Sequence, residues 1–208
     1  MKRIIIHWTA GRYKPSKDDL SHYHFVVDGN GAVVNGRFPI EANRAPMGKA
    51  YAAHTLNCNS DSIGVAIAAM AGAQERPFSA GAAPIKQIQL DALVGLVAGL
   101  CKQYGIPITR ETVLTHAEVQ PTLKIKQNGK WDITWLPHLS APIDPIEAGD
   151  MIRGRVSYAM TPRARPAPTP IHKTVTIDHI ADAGKMVAKP LPRRGFLDMI
   201  KKIFGNSQ

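Results

Sequence analysis

The chain has 208 residues, 44% of them hydrophobic and 20% charged, which is enough for one core-bearing domain of roughly 150 residues plus an appendage. Its net charge is +10, and residues 161–208 carry most of it, with nine Lys/Arg against three Asp/Glu; a basic tail points to a polyanionic partner such as nucleic acid, anionic lipid or an anionic cell surface. Two cysteines, Cys58 and Cys101, exclude a disulfide framework and lack the C-x-x-C spacing of a structural zinc site, so reduced thiols are expected.

Only three apolar residues follow Met1-Lys2-Arg3 before His7, too few for the apolar region of a signal peptide. The longest apolar run, residues 92–101, is about half a membrane span. Synthesis in a cytoplasm is therefore expected, with any later destination reached by another route.

In chain order, Ile4-Ile5-Ile6-His7-Trp8-Thr9-Ala10-Gly11 reads as a buried strand with His7 at its end. Ser16 predicts the cap of a short helix. His22-Tyr23-His24-Phe25-Val26-Val27 and Ala32-Val33-Val34, split by Asp28-Gly29-Asn30-Gly31, predict a hairpin. Strict alternation there would put His22 and His24 on the face opposite Tyr23, in structural roles. Residues 36–60 have no periodicity and read as a long loop of the kind that lines sites. Ser62 to Ala68 predicts a central strand, and residues 70–83 a loop. Pro84 opens a helix that ends at Gly105 before Pro107. Thr112 to Thr115 is a short strand running into His116. Residues 117–143 read as loop, and Asp144-Pro145 starts a helix through about Ala159. The order of elements predicts an α/β (α+β) fold with a mixed central sheet flanked by helices.

Beyond it, residues 161–192 form a Pro-rich basic linker with a weak helical pattern at about 178–188. Residues 193–208 hold a cationic amphipathic helix. Its apolar side either docks on the first domain, residues 1–160, or contacts a membrane surface or outer envelope.

Two predicted strands thus end in histidine, His7 and His116. A catalytic zinc takes three protein ligands and keeps a fourth position open. The loop after His116 offers Glu118 and Asp132 as the third, Asp132 being favoured and Glu118 expected to orient a ligand from behind it. In an extended Lys130-Trp131-Asp132 segment, the ammonium and the carboxylate point the same way. A cation or phenol beside the metal would stabilise an oxyanion, and Tyr23 is the phenol at hand. His138, His172 and His179 receive no role.

The ordered set of Ile-Ile-Ile-His7-Trp-Thr-Ala-Gly, Tyr23-His24-Phe25 before Asp-Gly-Asn-Gly, His54 with Asn57 and Asn59 before Ser-Ile-Gly-Val, Thr-His116-Ala-Glu and Lys130-Trp-Asp132 resembles the zinc-dependent N-acetylmuramoyl-L-alanine amidases. Amidase-type phage lysozymes and peptidoglycan recognition proteins belong to that group. The resemblance covers roughly residues 1–150. It implies one zinc ion held by His7, His116 and Asp132, with Tyr23 and Lys130 as the catalytic pair. His54, Asn57, Asn59, Trp8 and Thr9 would contact substrate. Some relatives carry a glutamate base in the strand after Ser-Ile-Gly, where this chain has Ala66; that departure favours the Tyr23/Lys130 form.

The resulting expectation is a phage or prophage endolysin, a bacteriolytic and antimicrobial hydrolase that cuts the amide between N-acetylmuramic acid and L-alanine. It would be made in the host cytoplasm and act on the periplasmic wall after release. Peptidoglycan is the expected partner, anionic membrane or lipopolysaccharide a second one through the tail. Nucleic acid is disfavoured, because the tail has no interleaved aromatics or known motif. The rival readings are a cytoplasmic wall-recycling amidase and a non-catalytic peptidoglycan-binding protein.

Overall fold

A computed structural model describes residues 1–161 of the chain. The linker, the C-terminal helix, His172 and His179 lie outside the described residues. Five strands and four α-helices follow in the order β1 (Arg3–Trp8), α1 (Lys17–His22), β2 (Phe25–Val27), β3 (Val33–Asn35), β4 (Ser62–Ile67), α2 (Gln87–Tyr104), β5 (Val113–Thr115), α3 (His116–Leu123) and α4 (Pro145–Met160). They build one mixed sheet of strand order β3-β2-β4-β1-β5. Only the β2–β3 hairpin is antiparallel; β1 runs parallel to both β4 and β5, and β2 parallel to β4.

Burial on both faces explains the unbroken apolar runs of β1 and β4. Ile4, Ile5 and Ile6 are wholly buried, as are Ile63, Val65 and Ile67, and each such side chain contributes about 1.5–3 kcal/mol. Period-two geometry puts Ile5 and His7 on one face, where Ile5 packs with Cys58 and Val119. In register, His7 lies beside Ala66, which packs with Val26, Leu20 and Tyr23. The site therefore grows out of this face at the C-terminal ends of the central strands.

The helices that frame it are set by local chemistry. Ser16 and Asp19 form the capping box that starts α1, satisfying donors the first turn leaves open. Helix α2 ends where Gly105 adopts φ 62°, a left-handed cap that costs glycine no steric penalty. Asp144 caps α4, accepting from Ile146 and Glu147 backbone N–H groups.

Two sequence expectations change. His22 is the last residue of α1, so the alternation across residues 22–24 does not exist. And residues 116–123, expected as strand end and loop, form α3. Its start is a Thr115/Glu118 capping box; the short length and the internal Pro121 hide its period. Among the described residues, no helix is long and apolar enough to cross a membrane.

Candidate metal centre

His7 reaches the site from the end of the central strand β1, and its side chain is fully buried. His116 is the first residue of α3, immediately after β5. Asp132 lies 16 positions later, in the loop before α4, and is 7% exposed. Their donor atoms converge. His7 Nδ1 and His116 Nδ1 are 3.0 Å apart, and Asp132 Oδ2 is 3.6 Å from the first and 3.4 Å from the second.

Three electron-pair donors facing one another in a buried place repel unless a cation lies between them. Nitrogen and oxygen ligands of a tetrahedral zinc sit roughly 3.3–3.6 Å from each other, given bonds of 2.0–2.2 Å. Two edges of the observed triangle fall in that range and the His7–His116 edge, 3.0 Å, is shorter; the His/His/carboxylate set suits a borderline cation with an open fourth position. These residues fit a metal ion.

The protonation states agree with that use. Burial, reinforced by the neighbouring His116 ring, lowers the His7 pKa to about 4, so its ring stays neutral and can offer a lone pair. Burial alone would favour a protonated Asp132, but the His116 and His7 rings beside it outweigh burial and hold the carboxyl below the usual range.

Behind the rings, a second set of groups orients them. The His7 Nε2 lies 3.3 Å from Thr55 Oγ1, and that hydroxyl lies 2.8 Å from His54 Nδ1. The His54 ring is buried against Gly64, where a methyl group would overlap it. On the other side, His116 Nε2 is 2.9 Å from Gln127 Oε1. Histidine ligands keep their orientation through partners of this kind.

Glu118, the alternative third ligand, is turned away. Its carboxylate takes bonds of 2.7 and 3.1 Å from buried Arg153 and one from the Thr115 N–H. Arg153 also reaches Val113 O and Asp150. This network fastens α4 to the β5–α3 junction that carries His116.

An open groove of about 820 Å³ passes over the triangle, lined among others by Trp8, Thr9, His22, Tyr23, His54, Asn57, Asn59, Lys130 and Asp132. All the residues expected to touch substrate thus border it, in different ways. Asn57 is exposed. Asn59 instead spends its side-chain oxygen on the Thr55 N–H. His54 stands behind His7 with its rings 5.4 Å away, and burial pushes its pKa well down. Trp8 is nearly buried and meets Trp131 edge to face at 4.6 Å. Lys130 is exposed at the groove's edge. The Tyr23 ring is 5.1 Å from that of His7; burial, then Asp132, raises its pKa, so the phenol keeps its proton and remains a donor. His22 faces the groove, while His24 is buried beneath the strands, its Nδ1 accepting from the Gly64 N–H at 2.9 Å. Ala66, where some relatives place an acid, is buried beside His7.

Sequence reasoning missed Thr55 and Gln127. Neither stands in a short motif with the ligand it supports, and only long-range folding brings them together.

Residues 1–134 match the family described as N-acetylmuramoyl-L-alanine amidase. The chain belongs to that family. The matched span contains all three members of the metal triangle, together with Tyr23 and Lys130. Among solved structures, the chain is similar to the Ph2119 endolysin from a Thermus scotoductus MAT2119 bacteriophage, with 20% identity, 58% of this chain and 73% of that one covered and a TM-score of 0.39. The bumblebee peptidoglycan recognition protein SA is also similar, at 20% identity, 68% and 86% coverage and a TM-score of 0.40. A third is the ectodomain complex of peptidoglycan recognition proteins LCa and LCx bound to tracheal cytotoxin, at 20%, 56% and 70%, and 0.38. No curated protein matches this chain.

Proposed function

We propose that this amidase is a zinc-dependent peptidoglycan hydrolase that cleaves the amide between the lactyl group of N-acetylmuramic acid and L-alanine. One observation carries the reading: the convergence of His7 Nδ1, His116 Nδ1 and Asp132 Oδ2 under a groove whose edge holds Tyr23 and Lys130. Zinc held there would polarise the scissile carbonyl and lower the pKa of a coordinated water.

The chain's own residues do the remaining work. Asp132 supplies the one negative charge that offsets the cation, and His7 and His116 add neutral donors. Tyr23, kept protonated by burial, donates its O–H to the oxygen on which charge develops. Lys130 brings an ammonium to the same side of the groove. A donor aimed at developing negative charge is worth roughly 3 kcal/mol. No carboxylate base stands beside His7 on β4, because Ala66 fills that position; the departing amine therefore takes its proton from the Tyr23/Lys130 side or from water in the open groove.

As an endolysin of phage or prophage origin, the protein would meet the wall after release from the cytoplasm. The basic segment beyond residue 161 would add contact with anionic membrane or lipopolysaccharide. The test is product analysis of digested sacculi. New L-alanine amino groups without new reducing sugars, lost with chelator and regained with zinc, are expected. New reducing ends without free amino groups would refute the reading. Binding that survives chelator without any cleavage would instead establish a peptidoglycan-binding role.

A further inference from the structure

We infer that Gln127 is a positioning residue of the metal centre, one that fixes the His116 tautomer and ties down the loop carrying Lys130 and Asp132. This rests on the metal reading of the preceding section.

The orientation of the Gln127 amide follows from its neighbours. Its Nε2 donates to two backbone carbonyls, Leu56 O at 2.9 Å and Ile125 O at 3.4 Å. A carbonyl oxygen placed there would face two acceptors, so the amide cannot be turned round. Oε1 is thereby committed to His116 Nε2, 2.9 Å away, and an amide oxygen can only accept. The proton of a neutral His116 must then sit on Nε2. Its Nδ1, the atom facing His7 and Asp132, keeps its lone pair free for a metal.

His7 has no such commitment. Its Nε2 faces a threonine hydroxyl, which can donate or accept. Gln127 therefore sets a direction that Thr55 does not.

The same residue anchors the chain. Gln127 is 3% exposed, and its backbone N–H donates to Gln120 Oε1 on α3 at 2.8 Å. Main chain and side chain together join α3, the groove-lining residue Leu56 and the loop three residues before Lys130. The 16-residue step from His116 to Asp132 is thus closed from within.

The experiment uses the full chain. Long-range 1H–15N correlation on zinc-free protein reads the tautomer of His116 directly, and competition with a chromophoric chelator reads zinc affinity. His116 is expected as the Nε2–H tautomer in the wild type. Gln127→Leu should give mixed tautomers and a 10–100-fold weaker zinc affinity, the range typical of lost outer partners. A wild-type His116 in the Nδ1–H form overturns the inference, and so does wild-type affinity in Gln127→Leu. The wild-type spectrum decides the matter even if Gln127→Leu does not fold. His116→Ala separates the two levels: if it alone keeps wild-type zinc affinity, the metal reading itself fails.

Discussion

His7 and Asp132 arrive at the same point from opposite kinds of backbone. His7 is hydrogen-bonded into a parallel sheet between β4 and β5, with three isoleucines behind it that have no solvent exposure. Asp132 sits in an irregular loop, and the next residue, Ile133, is β-branched, buried and held at φ 66°. A β-branched residue there costs about 1–3 kcal/mol, which the surrounding structure must offset. The strand side holds its ligand by regular strand pairing, the loop side by irregular backbone folded around the buried Ile133 and Leu136. The strand should therefore tolerate small perturbations of the site, and the loop should not.

The sharpest way to break this comparison is to delete the loop ligand. Asp132→Ala should lower amide hydrolysis by about 10³-fold or more, the several kcal/mol that a bound metal supplies. Release of L-alanine amino groups measures it, and the fold should survive as judged by far-ultraviolet circular dichroism. Next comes the support behind His116. Arg153→Ala leaves Glu118, which has no solvent exposure, without its charge partner and should cost about 3–5 kcal/mol in urea unfolding. Arg153→Met combined with Glu118→Gln should recover much of that loss.

Tyr23→Phe removes only a donor. It should lower kcat by about 10²–10³-fold while zinc affinity, read by chelator competition, stays unchanged. Stripping the metal tests both sides together: with free zinc at about 100 times its Kd, chelation should withdraw about 3 kcal/mol of stability and lower the Tm.

The smallest expected effect lies on the strand side. Burial lowers the His24 pKa to about 4, against about 6.5 in an unfolded chain. Between those values the unfolded state binds the extra proton. Stability is therefore full above about pH 6.5 and falls as pH drops toward 4. Going from pH 7 to pH 5 should cost roughly 2 kcal/mol through this group. His24→Asn, which keeps an acceptor for the Gly64 N–H, should flatten the acid side of the urea-midpoint profile by about that much.

The same contrast explains what could be read in the sequence. The strand half is written in periodicity: an apolar run ending in His7, a small-residue strand from Ser62, and a helix closed by Gly105. Motif order points to His116 and Asp132, yet the sequence of the α3 helix between them reads as loop. Its Thr115-x-x-Glu118 box is a legible start signal that the Pro121 obscured. The exchange of Glu118 from metal vicinity to a buried ion pair could not be read, because Arg153 is 35 residues distant. Nor could the second groups behind the ligands. Gln127 and Thr55 act through single contacts across 11 and 48 positions of chain, and no local pattern records such contacts. The strained backbone at Ile133 is likewise a product of the closed loop rather than of its composition.

Gly64 marks where the strand side's tolerance ends. The position lies in the middle of a buried strand, where an added methyl ordinarily counts as a gain in packing. Here the ring of His54 already occupies the space that methyl would take. Pushed aside, the ring would carry off the Thr55 hydroxyl, and that hydroxyl is what stands behind His7. One missing carbon in the sheet thus governs the alignment of an atom three side chains away, and the site depends on an emptiness as much as on any group that fills it.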